Sequence, residues 1–240
     1  MKTRALGTQT GVRGRAEIRV FLAAVTVLFG TAACSDSDGG GGLSAPADSD
    51  PVSEIALDVR VHLLESDEFT QLSSTLTGPE VRTMFEGVNE IWAEAGIRWV
   101  VESIVREPAA NQDLFGQVIR GEIPFTGSVL ASLLPREQLL AGKWNVFMIR
   151  DLGGSIGGIY IGGVPAVIGA ELDPLGARDL AGSMPRIVAH ELGHSIGLAH
   201  VDCVAAGNLM APGCFQGVRT RLTANQTEIA RSQARTGRPF

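Results

Sequence analysis

Residues 190–200 read His-Glu-Leu-Gly-His-Ser-Ile-Gly-Leu-Ala-His and hold three of the four histidines in a chain of 240 residues. On a helix, positions four apart share a face with Cβ atoms about 5–6 Å apart, so His190 and His194 can both reach one metal ion. If the helix simply continued, His200 would lie two or three turns farther along the axis, out of reach of that ion. The helix therefore has to end and the chain has to turn back. Gly197, midway between His194 and His200, suits this reversal, because glycine enters the left-handed conformation that closes a helix without a Cβ clash. Structural zinc usually takes four protein ligands, whereas catalytic zinc keeps three and leaves one position for water. Three histidines in this arrangement predict a Zn2+ site with an open face.

Glu191 follows the first histidine directly and is offset by about 100° around the helix. From there its carboxylate is too far round to share the ion in the same way, but it can reach a water on the open side. Zinc lowers the pKa of such a water towards about 7, and an adjacent carboxylate can accept its proton during attack on a polarised carbonyl. These residues contain every part needed for metal-assisted hydrolysis. The pattern His-Glu-x-x-His-x-x-Gly-x-x-His fixes five positions, and at this chain's residue usage it arises by chance on the order of once in 10⁵ chains.

The stretch His190 to His200 resembles the zinc signature of the metzincin metalloproteases, and is most similar to the matrixin-like branch. Those proteins also carry a methionine turn beneath the zinc, and Asn208-Leu-Met-Ala-Pro212 is similar to it. The resemblance implies that Met210 is an apolar floor under the site and that a protein or peptide substrate lies extended along an edge strand, with Ile159 to Gly163 as the expected edge. Cys203 and Cys214 flank the loop of the methionine turn in a chain expected to be exported, where a disulfide between them would stiffen the segment that by resemblance walls the substrate's side-chain pocket; two unpaired buried cysteines are the alternative. The chain departs from the pattern at Val201, where matrixins usually carry serine, and at Pro212, where some metzincins place a tyrosine ligand. Two other readings of the same residues are a zinc-dependent hydrolase of other amides, for instance in cell-wall material, and a surface binding module without turnover. Retained Glu191 counts against the second, since binding alone does not require that carboxylate.

Residues 1–33 pair a basic leader (Lys2, Arg4, Arg13, Arg15, Arg19) with an apolar run from Val20 to Ala33. That run is too short to span a bilayer comfortably and reads as a signal peptide. Its end, Thr31-Ala-Ala-Cys34, resembles a bacterial lipobox in which the cysteine is lipidated, although leucine is usual where Thr31 stands. Ordinary cleavage after Ala33 would give a secreted protein instead. Residues 34–52 then have the Gly/Ser/Asp composition of a solvated tether. Residues 53–240 form the expected catalytic domain. The expectation is an extracytoplasmic protein whose only membrane contact is its lipid anchor. Without the leader's five basic residues and Glu17 the formal charge of −6 becomes −10, which argues against nucleic acid and anionic lipid as partners. Oligomeric state is not legible.

Within the domain, apolar residues alternate from Ile55 to Leu63, the period of a half-buried strand, and His62 falls on the polar side as an expected solvent-facing or edge imidazole. Val81, Met84, Phe85, Val88, Ile91, Trp92 and Ala95 follow helical spacing, with Gly96 as the stop. Strands are expected at residues 97–105 and 144–150, and a helical turn at 136–140 in an otherwise irregular region. Glycines between residues 153 and 163 suggest an edge strand where another backbone comes close. Ser183 is the expected N-cap of the histidine-bearing helix, running to about Gly197. Thr223 and Gln226 form a capping box for a last helix fading near Arg235. This order reads as α+β or α/β with the sheet first and two late helices. The resemblance to metzincins implies an α+β fold with an α/β-like N-terminal subdomain: a twisted sheet, then the active-site helix, the methionine turn and a C-terminal helix.

Overall fold

The computed structural model describes residues 53–153, 156–173, 175–202, 207–212 and 220–240. The leader, Cys34 and the tether lie outside these residues, as do Cys203 and Cys214. The fold is mixed α/β, built on five strands in the order β2-β1-β3-β5-β4. Strands β1 (Ile55–Glu65), β2 (Ile97–Pro108), β3 (Trp144–Ile149) and β5 (Ala166–Ala170) are parallel, and β4 (Gly158–Ile161) closes one side antiparallel to β5. Among the described residues, no helix is long and apolar enough to cross a membrane.

Helix α1 (Gly78–Trp92) connects β1 to β2. Its Thr77–Glu80 capping box satisfies the first-turn N–H groups, and Gly96 ends the following 3-10 turn at φ 60°. The buried face of α1 packs with α4 (Ser183–Ser195) over the sheet residues Leu57, Val59, Val61, Val146 and Met148. Gly87 allows the two helices to approach, since a Cβ there would stand 3.0 Å from the Pro185 ring. The opposite sheet face is covered by α2 (Gln112–Ile119) and α3 (Gly127–Ser132) through Phe115, Leu130 and Leu133. These two short helices occupy the stretch expected to be irregular, and the expected turn at 136–140 is a 3-10 turn at Arg136–Gln138. Their few residues are too short for a helical period to stand out in sequence.

Covering both faces overturns the expectation for His62, which is fully buried. It sits on an inner strand of a mostly parallel sheet, where both faces are covered at the C-terminal end of β1 and alternation no longer marks solvent. Glu107 on β2 and Asn145 on β3 flank it from the neighbouring strands, and the Phe147 ring stacks on it at 4.1 Å. The N-cap of α4 also differs. Gly182 takes the N-cap position and Ser183 is already helical, while the Asp179 carboxylate accepts the Ser183 N–H at 3.0 Å. A side chain four residues upstream thus does the work expected of the Ser183 hydroxyl.

The last helix, α5 (Ala224–Ala234), begins with the expected Thr223–Gln226 capping box. Buried Arg231 fastens it to the rest of the domain by donating to the carbonyls of Ala95, Gly96 and Ser53.

Candidate metal centre and cleft

Helix α4 ends at Ser195, and Gly197 adopts φ 84°, so the chain leaves the helix axis immediately after His194. The Gly197 and Leu198 N–H groups close the turn on the carbonyls of His194 and Gly193. This reversal returns His200 to the other two histidines. The three Nε2 atoms stand 3.1, 3.1 and 3.2 Å apart, the only group of this kind among the described residues that could hold a metal ion.

Backbone carbonyls orient two of the rings. His190 donates its Nδ1–H to the Leu209 carbonyl at 2.7 Å, and His194 donates its own to the Leu198 carbonyl at 2.7 Å. With Nδ1 protonated, a neutral imidazole bears a lone pair on Nε2. Burial pushes His190 down to about 4, and it also lowers His194 and His200, so the neutral forms are favoured. The 3.2 Å contact between His190 and His194 therefore sets lone pair against lone pair, with no proton of their own to share. A cation relieves that repulsion. The three Nε2 atoms would hold such an ion together, and three protein ligands is the number that leaves a position for water in catalytic metal sites. The donors present fit a three-coordinate protein site for a metal ion.

The segment Asn208–Pro212 supports this arrangement from below. Asn208 exchanges hydrogen bonds with Gln226 of the α5 capping box and accepts the Met210 N–H, and the Val201 N–H reaches the Met210 carbonyl. Met210 is fully buried. Its sulfur packs so tightly on α4 that a Cβ at Gly193 would stand 2.6 Å from it. A side chain at Gly193, one of the variable positions of the motif, would have to displace the buried Met210 thioether, a contact the motif alone does not reveal. Trp144 donates to the Ser195 hydroxyl at 3.0 Å and ties the end of α4 to the sheet.

Glu191 is buried beneath β4, with its Cγ 2.8 Å from where a Cβ on Gly158 would be. Burial pushes its carboxyl up to about 8, opposed by a hydrogen bond from the Tyr160 backbone N–H. The glycines of this stretch therefore admit the Ile187 and Glu191 side chains as well as neighbouring backbone. Strand β4 is the sheet edge, and it begins one residue before the expected Ile159. Glu191, His194 and His200 open together into one cleft of about 490 Å³, walled by Ile159, Tyr160, Leu198, Ala199 and Phe240. Tyr160 falls within the edge expected from Ile159 to Gly163, whereas Phe240 was not legible as a cleft residue, because no local pattern connects positions 80 residues apart.

No protein-family model matches the chain, and no curated protein matches it. Among solved structures it is similar to mirolysin in complex with compound 9, at 14% identity and TM-score 0.48, covering 78% of this chain and 97% of that one. It is also similar to metalloproteinase-II from Bacteroides fragilis, at 14% identity and TM-score 0.40, covering 76% and 55%. A chaperone-substrate complex matches at 13% identity and TM-score 0.39, covering 78% and 36%.

Proposed function

We propose that this chain is a zinc-dependent endopeptidase that hydrolyses peptide bonds of protein substrates outside the cytoplasm. The observation that carries the proposal is the convergence of the His190, His194 and His200 Nε2 atoms at 3.1–3.2 Å beside a cleft lined by Glu191, His194 and His200. Bound zinc supplies Lewis-acid chemistry, polarising a carbonyl and acidifying a water. The three imidazoles hold it, with His190 and His194 fixed in one tautomer by the Leu209 and Leu198 carbonyls. Glu191, held by the Tyr160 N–H, takes the proton of the attacking water and passes it to the leaving amine. Its burial raises its affinity for a proton, and nearby positive charge lowers it again, which suits a group that must both accept and release one. The free edge of β4 offers backbone groups for an extended peptide. In the same reading, residues 1–33 are removed on export, and lipidation of Cys34 with the tether to residue 52 holds the domain at a membrane surface.

The test is metal analysis of the purified chain together with digestion of casein and a peptide library, with and without chelator. About one zinc per chain and chelator-sensitive cleavage within the peptides are expected. Release of product from peptidoglycan with no peptide cleaved would favour an amide hydrolase of cell-wall material. Full biological effect of a metal-loaded Glu191→Ala chain would instead indicate a binding module.

A further inference from the structure

Phe240 is mostly exposed, at 72%, yet its backbone is pinned on both sides. Its N–H donates to the Ser195 carbonyl at 2.7 Å, at the end of the histidine helix, and its carbonyl accepts a hydrogen bond from the Tyr160 hydroxyl on β4. Phe240 therefore bridges the edge strand and the end of α4, and its ring stands in the same cleft as Glu191, His194 and His200. Beside it, Ile229 of α5 is 41% exposed. Gly197 lies between the two. A Cβ there would meet the Phe240 ring at 3.7 Å and Ile229 at 3.9 Å, so the bare glycine leaves a recess between two apolar side chains, bounded farther along α5 by Asn225, Glu228, Ser232 and Gln233. An aromatic ring held in water by its own backbone gains nothing from burial in the free protein, and a large apolar side chain laid against it would supply that burial.

We propose that Phe240, with Ile229 and the bare Gly197, forms a specificity subsite for a large apolar side chain on the N-terminal side of the bond that is cut. This rests on the endopeptidase reading above. The side follows from strand direction. Gly158 lies against Ile187 and Glu191, whereas Tyr160 reaches Phe240 next to Ser195, so β4 runs alongside α4 in the same sense, from Glu191 towards Ser195. A peptide paired antiparallel to β4 runs the opposite way and brings its residues before the cleaved bond to Phe240. Gly197 and Phe240 line both this recess and the three-histidine cleft, which selects a substrate side chain as the occupant.

The test uses the full chain loaded with zinc and a set of otherwise identical peptides bearing leucine, phenylalanine, lysine or glycine at each of three positions before the cleaved bond. The wild-type chain should prefer the apolar residue at one of these positions by about tenfold in kcat/KM, a size expected for one partly buried side chain. In Phe240→Ala that preference should fall towards unity, and in Phe240→Asp it should turn towards lysine, with zinc content and melting temperature reported for both. A wild-type chain that cleaves the peptides without such a preference, or a preference untouched in both variants, overturns the subsite. A wild-type chain that cleaves no peptide overturns the endopeptidase reading itself and removes the subsite with it.

Discussion

Two histidine environments lie in this domain, one buried and one open to a cleft, and they differ in what the second ring nitrogen meets. At His62, Nδ1 faces Glu107 at 2.5 Å and Nε2 faces the Asn145 Oδ1 at 3.1 Å. The Asn145 orientation is fixed, because its Nδ2 donates to the Leu140 and Lys143 carbonyls while its Oδ1 accepts the Leu140 N–H. Both nitrogens of His62 thus have oxygen partners within the chain itself, and neither is left for a ligand. At the three-histidine cluster, backbone carbonyls take up Nδ1 of His190 and His194, and the Nε2 atoms are left facing one another. A histidine that has satisfied both nitrogens reinforces a core. Histidines that have satisfied only one, and converge on the other, form a site that a cation completes.

The largest expected effect comes from breaking the open cluster. His200→Ala should reduce bound zinc to background in metal analysis and remove hydrolysis, and zinc titration of the wild-type chain should move the NMR signals of His190, His194 and His200 but not those of His62. Movement of His62 alone would reverse the comparison. Next is Glu191→Gln, which should keep the zinc but lower kcat by about 10²–10⁴-fold, the usual contribution of a general base. Retention of near wild-type turnover would exclude Glu191 from the chemistry.

The closed environment should respond in the opposite way. Glu107→Leu removes the hydrogen-bond partner of His62 in the core, and leaving a buried polar group unsatisfied costs about 1–3 kcal/mol. Urea denaturation should show that loss while zinc stoichiometry in the folded fraction is unchanged. The smallest effect serves as a control remote from both. Hydrogen bonds from the Thr77 backbone and hydroxyl, then from Arg178, hold Glu80 down from 4.5 to about 2. A depressed carboxyl contributes stability that is complete above the unfolded value and lost as pH falls through the folded one. Thr77→Val should therefore cost about 1 kcal/mol near neutrality and flatten the fall in stability between pH 4.5 and 2, with zinc binding unaltered.

Much of the frame was legible in sequence because local physics determines it. The helical spacing from Val81 to Ala95 and the Gly96 stop appear where expected, as do the Thr223–Gln226 capping box and the strands beginning at Ile97 and Trp144. Strand β5 was missed: all five of its residues are buried, so it shows no alternation to distinguish it from any short apolar run. His62 misled for a related reason, since polarity on one side of a strand signals solvent only where nothing covers that side.

The spacing of three histidines around a glycine, with a glutamate after the first, determined by itself that any fold placing residues 183–195 on a helix would have metal-binding donors to bring together. Tertiary structure alone decided how those donors are aimed and what surrounds them. The Leu209 carbonyl that orients His190 comes from 19 residues away, the Tyr160 N–H on Glu191 from a strand at the far end of the sheet, and the Phe240 wall of the cleft from beyond the last helix. Motif spacing is a property of one continuous segment and its helix geometry. Orientation, burial and the shape of a cleft arise from segments distant in sequence, which meet only after the core has packed.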